Sequence, residues 1–184
     1  MAAPDTSDPR ILRSRAQLVD ALGTLLHSRD ARDVSVSALC AEAGVSRPTF
    51  YQHFTSVDDV AVAGIERRFA DLRARLVDGP DAPYRLLVAF LSELDRERET
   101  WRRTIGSGNA SRDAVETWFA QRLAERAPDA GPVAVRYAAG GFLAAVGAWL
   151  REEATPERLG AEALAAQLVE LASRVLGTRS SVTP

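Results

Sequence analysis

Two short helical segments on either side of Gly44 restrict the fold of this chain more than any other feature of its sequence. Ser35-Val36-Ser37 predicts the start of the first helix, and Gly44 predicts its end because glycine readily takes a positive φ. Ser46 predicts the cap of a second helix, and Pro48 falls in the first turn, where its missing N–H costs little. Cys40 is small enough for the two helices to cross closely at that point. The pattern therefore predicts a helix-turn-helix over residues 36–55.

Apolar residues at helical spacing extend this pattern along the chain. The predicted helices cover residues 11–26, 56–77, 86–94, 114–127 and 133–152, with a last helix from Thr155-Pro156-Glu157 to near Gly177. Glycine- and proline-rich stretches at 79–83 and 106–109 separate some of them. No segment alternates like a strand, so the sequence predicts an all-α fold of about nine helices.

Composition excludes several classes of function. One cysteine and two histidines cannot form a disulfide framework or a metal site. No nucleophile–base set and no glycine-rich phosphate loop is present, so we predict no enzymatic activity, no catalytic residue and no cofactor. The longest apolar runs, such as residues 140–150, fall short of the roughly 20 residues that span a bilayer. Asp5 and Asp8 near the N-terminus argue against a secretory signal, and we expect a cytoplasmic protein without membrane association.

The second helix of the helix-turn-helix carries polar side chains suited to the major groove of DNA. We expect Arg47, Thr49 and Gln52 to contact base edges, because arginine can donate to both acceptors of guanine, glutamine can pair with adenine and the threonine methyl can pack on thymine. Tyr51 and His53 are better suited to phosphate or sugar contacts. The predicted DNA-binding residues are Ser35, Ser37, Ser46, Arg47, Pro48, Thr49, Tyr51, Gln52 and His53.

Residues 41–54, Ala-Glu-Ala-Gly-Val-Ser-Arg-Pro-Thr-Phe-Tyr-Gln-His-Phe, closely resemble the DNA-binding signature of TetR-type repressors. The resemblance covers residues 10–65 in motif and extends to the end of the chain in helix order. It implies a three-helix DNA-binding head at 10–55, a linking helix at 56–78 and an effector-binding and dimerisation body at 79–184. It further implies a homodimer that is released from a double-stranded, palindromic operator by a small effector. Residues 1–9, with two prolines, two aspartates and small polar residues, predict a flexible arm before the head.

Two features depart from that signature. The family often has a phosphate-contacting lysine soon after the His-Phe pair, whereas this chain has Thr55-Ser56-Val57-Asp58 and contains no lysine at all. Backbone N–H groups at the start of the next helix are the available replacement. Residues 10–60 hold six arginines and six acidic residues, so the head is not basic. These features keep an alternative open, namely a helical dimeric interaction or ligand-binding module that has lost DNA binding.

The body contains the aromatic side chains that could line an apolar pocket. The candidate ligand-binding residues are Phe90, Trp101, Trp118, Phe119 and Tyr137, with Arg102 or Arg103 beside them; each aromatic residue is equally suited to a plain core. Their character predicts an apolar or aromatic effector. The small residues of the helix at 133–152 and the leucines of the last helix give these two helices more apolar surface than a monomer needs, and we expect them to form the dimer.

Overall fold

A computed structural model of the chain describes residues 9–76, 79, 81–105, 110–153, 155 and 157–178. In those residues the chain forms nine α-helices and no β-strand, which confirms the all-α prediction. The helices are α1 (Pro9–Leu26), α2 (Val36–Ala43), α3 (Arg47–His53), α4 (Val57–Ala74), α5 (Ala82–Arg96), α6 (Arg98–Ile105), α7 (Ala110–Arg126), α8 (Pro132–Arg151) and α9 (Ala161–Leu176). A single 3₁₀ turn, Ala31–Asp33, precedes α2. Of the predicted arm, residues 1–8 lie outside the described residues and Pro9 begins α1.

The first three helices and the start of α4 enclose one hydrophobic core. Leu18 and Leu22 of α1, Leu39 of α2, Phe50 of α3 and Val60 of α4 are all buried in it. The apolar residues of α1 recur at helical spacing, which places them on the side that faces α2, α3 and α4. This packing fixes the orientation of α3 relative to the other helices of the head.

A second core lies among the remaining helices and begins on α4 itself. Val60, Ala61 and Ala63 belong to the first core, and Ile65, one turn further along the same helix, belongs to the second. Helix α8 packs against α6, α7 and α9, and α5 packs against α4 and α9. Helix α4 is therefore a continuous rigid element that contributes to both cores.

The last helix begins at Ala161, six residues later than the prediction, and Gly160 caps it. The preceding residues are held in a turn instead, because the indole of Trp149 donates to the carbonyl of Leu159 at 2.6 Å. Arg158 also donates to Asp95 at 3.1 Å, and its guanidinium lies 4.1 Å from the centre of the Trp149 ring. These tertiary contacts outweigh the local helix-start signal of Thr155-Pro156-Glu157.

We predict that Arg158→Ala destabilises the body by about 1–3 kcal/mol, because the substitution removes a charged hydrogen bond and a cation–π contact. The Arg158 side chain is nearly buried, so solvent does little to screen these contacts. Urea unfolding at fixed protein concentration measures the loss. Arg151→Ala, on an exposed arginine at the end of α8, is the comparison. Equal stability of the two variants would contradict the assigned role of Arg158.

Helix α8 is long and apolar enough to cross a membrane by length and composition, which corrects the expectation that no such segment exists. The most apolar 18-residue window of α8 has a mean hydropathy of 1.4, and 44% of that window is buried within the fold. A core helix of a folded domain meets the same criterion, so the composition of α8 alone does not assign it to a membrane.

Candidate nucleic-acid interface and ligand cavity

The turn between α2 and α3 has the geometry that its sequence predicts. The Oγ atom of Ser35 accepts a hydrogen bond from the N–H of Ala38 at 3.1 Å and caps α2. Gly44 ends the helix at φ 66° and ψ 29°, a left-handed conformation that side chains with a Cβ rarely adopt. The N–H of Val45 then donates to the carbonyl of Cys40 at 3.0 Å and closes the turn.

Helix α3 is anchored on one side and open to solvent on the other. The hydroxyl of Ser46 accepts from the N–H of Thr49 at 3.2 Å, as the sequence predicts for a cap. The ring of Phe50 is completely buried and meets the Tyr51 ring edge-on at 5.2 Å between centroids. Arg47, Pro48, Tyr51 and Gln52 are exposed at helical spacing and therefore share the outer face of α3.

The nine predicted DNA-binding residues differ in their freedom to contact DNA. Seven are exposed, and Tyr51 presents 54% of its surface to solvent. Thr49 is half-buried, and its hydroxyl lies 2.7 Å from the hydroxyl of Ser46. The exposed residues are Ser35, Ser37, Ser46, Arg47, Pro48, Tyr51 and Gln52.

His53 is held by the head itself. Its Nε2 atom lies 2.7 Å from the hydroxyl of Ser14 on α1, and the side chain is half-buried. Burial lowers the pKa of His53, and the nearby Arg15 lowers it further. A lowered pKa favours the neutral imidazole, which can contact a phosphate or sugar through a hydrogen bond. The sequence analysis missed Ser14, because nothing local links it to a residue 39 positions away.

Asp59 closes the N-terminus of α4. Its carboxylate accepts hydrogen bonds from the N–H groups of Thr55 at 2.9 Å and of Ser56 at 3.0 Å, while the Ser56 hydroxyl accepts from the N–H of Asp59. This reciprocal arrangement is a capping box. The N–H groups of Thr55, Ser56 and Asp59 are therefore already engaged within the protein, so a phosphate contact at this helix start would fall to the N–H groups of Val57 and Asp58.

We predict that Asp59→Asn destabilises the head and makes its remaining stability less sensitive to a fall in pH. Hydrogen bonds, first that from the Thr55 hydroxyl, lower the pKa of Asp59. A lowered folded-state pKa adds stability above the ordinary aspartate pKa, and this stability is lost as the pH falls through the folded-state value. Urea midpoints for both proteins between about pH 6 and about pH 3 measure it. Parallel pH profiles would show that Asp59 contributes nothing to acid sensitivity.

Cys40 is buried at the crossing of α2 and α3. Burial raises the pKa of its thiol, and the smaller effect of Arg47 acts in the opposite direction. Because a thiolate is the reactive form, this environment favours packing over redox sensing.

The body contains a cavity of about 590 Å³ among α4, α5, α7, α8 and α9, which we call the main cavity. Its volume is typical of small-molecule sites. Its wall includes Phe69, Trp118, Phe119 and Phe142, and the rings of Phe119 and Phe142 lie 4.4 Å apart. Arg73, Arg122 and Arg126 complete the wall together with aliphatic residues of α5 and α9. The sequence analysis missed these arginines because they come from two helices about fifty residues apart.

The five candidate ligand residues are not all in one place. Trp118 and Phe119 line the main cavity, and Phe90 lines a small void of about 20 Å³ behind them. Trp101 lines a separate cavity of about 260 Å³ between α1, α4 and α6. Tyr137 is 71% exposed and lies on the outer face of α8, away from the cavity. Arg102 and Arg103 pair with Glu99 outside it.

An exposed apolar stripe runs along α8. Val133 is 82% exposed, and Tyr137, Gly141, Ala144 and Ala148 follow it at intervals of three or four residues on the same face. Other small residues of this helix, among them Ala139 and Gly147, face the protein's own core. Leu171 of α9 is a further exposed apolar side chain.

Comparison with known proteins gives a consistent result. Residues 17–63 match the family described as bacterial regulatory proteins, tetR family. A TetR transcriptional regulator from Rhodococcus sp. RHA1 has a similar fold at a TM-score of 0.58 and 18% identity, covering 89% of this chain and 96% of the other. A TetR transcriptional regulator from Streptococcus agalactiae 2603V has a TM-score of 0.56 and 18% identity, and the match covers 91% of this chain and 97% of the other.

The TetR family repressor AlkX from Dietzia sp. strain DQ12-45-1b, implicated in biodegradation of n-alkanes, gives a TM-score of 0.50 at 18% identity and covers 95% of this chain and 98% of its own. At 18% identity, the likeness to these three structures shows a shared fold. No curated protein matches the chain.

Proposed function

Because this chain belongs to the TetR family of transcriptional regulators, we propose that it binds DNA as a homodimeric repressor and is released from a palindromic operator by a small apolar or aromatic effector. Regulators of this family are typically transcription factors without enzymatic activity, and they function as dimers. We place the protein in the cytoplasm, where its operator is.

The observation that carries the proposal is the outer face of α3. Phe50 fixes the helix from below and Ser46 caps its start, so the exposed side chains are presented from a rigid element. Arg47 is suited to guanine and Gln52 to adenine in the major groove, while Tyr51 is suited to a phosphate. Ser35 and Ser37 lie exposed at the start of α2 and are suited to phosphates beside the groove.

The exposed stripe of α8, together with α9, is the proposed dimer interface. Its glycines and alanines allow a second helix to approach closely, and a two-fold axis would bring the same face of each subunit together. Two heads related by that axis match a palindrome whose half-sites are separated by one or more helical turns.

Helix α4 supports the proposed switch. Phe69, Ala70 and Arg73 of its second half line the main cavity, while Val60 in its first half packs in the core of the head. An effector that favours one position of α4 therefore changes the spacing of the two heads, and DNA acts on effector affinity by the same factor.

A second candidate is a ligand-binding or interaction module of the same fold that does not bind DNA. Two observations favour it: the equal numbers of arginines and acids in residues 10–60, and the engagement of the N–H groups of Thr55 and Ser56 with Asp59. Both reduce the attraction of the head for phosphate.

Fluorescence anisotropy on the DNA upstream of the protein's own gene tests the proposed function. We expect nanomolar binding that exceeds binding to a scrambled duplex and weakens between about 50 mM and about 200 mM salt. If no duplex is preferred, selection of binding sites from genomic fragments is the second step. Absence of any selected sequence would support the module without DNA binding.

A further inference from the structure

The wall of the main cavity has an unusual distribution of charge. Among the described residues, its only ionisable side chains are Arg73, Arg122 and Arg126, and no acidic, hydroxyl or amide side chain lines it. The indole N–H of Trp118, its one further polar group, already donates to Glu66 at 2.8 Å. The lining side chains thus combine an apolar interior with arginines, of which Arg122 also lies 3.9 Å from the carboxylate of Glu66 just outside the lining.

The arginines lie towards solvent and the aromatic rings lie deeper. Arg73 and Arg126 are exposed, and the side chain of Arg122 is about half-exposed, whereas Phe69 and Phe142 are packed against the second core. Arg122 forms an ion pair with Glu125 at 3.0 Å. Arg126, one turn further along α7, forms no ion pair with any described residue. Its charge remains available to a ligand.

This arrangement selects between classes of ligand. A cation would meet like charge at the mouth, and a ligand with several hydroxyl groups would lose its water without finding partners in the apolar interior. An acid group at the mouth keeps partial hydration and gains the arginines, while an apolar chain or ring fills the interior.

We propose that the ligand of this cavity is an amphipathic anion, with a carboxylate or a similar acid group on an apolar chain or ring. The inference rests on the proposed function in taking the cavity as the effector site. Arg73 belongs to α4, and Arg122 and Arg126 belong to α7, so an acid group at the mouth contacts both helices. Such a ligand acts directly on the helix that enters the head.

Isothermal titration calorimetry with matched probes tests the class of ligand. Dodecanoate is compared with dodecanol, and naphthoate with naphthol, so that each pair differs in charge and shares an apolar body. We expect at least one acid to bind about tenfold more tightly than its alcohol.

Arg126→Gln, which leaves no acidic residue unpaired, is expected to weaken the binding of that acid about fivefold, the upper range for an exposed charge pair. Arg96→Gln, on an exposed arginine of α5 outside the cavity, is expected to change nothing.

Two results would overturn the inference: no acid binds more tightly than its alcohol, or Arg126→Gln and Arg96→Gln behave alike. Anisotropy on operator DNA without any probe is measured on the same preparation. Selective DNA binding without acid preference means that only the ligand class is wrong. Acid preference without DNA binding means that only the proposed repressor function is wrong.

Discussion

Replacing both Arg47 and Tyr51 with alanine is expected to weaken operator binding about 100-fold or more while leaving the proposed dimer and the helical content unchanged. Both side chains are exposed on the outer face of α3 and neither is buried in the core of the head, although the Tyr51 ring meets the Phe50 ring edge-on. An arginine–guanine pair is worth about 1–3 kcal/mol, and a hydrogen bond to a charged phosphate about 1.5–3 kcal/mol. Their combined loss leaves mostly non-specific binding.

Anisotropy titration measures the affinity of this double variant, and size-exclusion chromatography with circular dichroism verifies its dimer and fold. Arg96→Ala changes the net charge by the same amount as Arg47→Ala but lies on α5, outside the head. It is the control for a general electrostatic effect. Unchanged selective binding by the double variant would remove the outer face of α3 from the interface with DNA.

Replacing Phe50 with alanine is expected to destabilise the protein by about 3–5 kcal/mol, the range observed for aromatic residues truncated in a core. The ring is fully buried beneath α3, and its centroid lies 6.1 Å from that of Phe54. A large cavity would remain, because the three helices around the site are held apart by their other packing contacts. Loss of this ring also removes the support beneath the outer face of α3.

Urea unfolding at fixed protein concentration measures the effect of Phe50→Ala, since the proposed dimerisation would make stability concentration-dependent. Leu12→Ala is the matched control: Leu12 is an apolar residue of α1 that is 55% exposed, and its substitution is expected to cost less than about 0.5 kcal/mol. A loss below about 1 kcal/mol for Phe50→Ala would mean that Phe50 does not anchor α3.

The head was predictable because its determinants are local. Ser46 and Ser56 cap the helices that follow them, and Gly44 takes the positive φ that a turn there requires. Each of these depends on residues within a few positions of itself. The hydrogen bond of His53 was not predictable in the same way, because its partner, Ser14, lies on another helix.

The body was less predictable because its geometry depends on distant contacts. Trp149 and Asp95 hold the turn before α9 and delay the start of that helix. Tyr137 was grouped with the cavity aromatics, yet it lies on the outward face of α8. The rotation of α8 about its axis depends on packing against α6, α7 and α9, which the sequence does not specify. Arg122 and Arg126 are one helical turn apart, and this spacing was the sequence signal that could have indicated the charged mouth of the cavity.

The buried thiol at the crossing of α2 and α3 has a practical consequence, because Cys40 is the chain's single cysteine. Because the thiol is buried in the core of the head, a thiol reagent can modify it only when that core opens, so the rate of labelling reports the opening of the head. The measurement requires no mutation, because the native cysteine is the probe. Operator DNA that holds the head closed would slow the reaction, and an effector that acts only on the body would leave it unchanged.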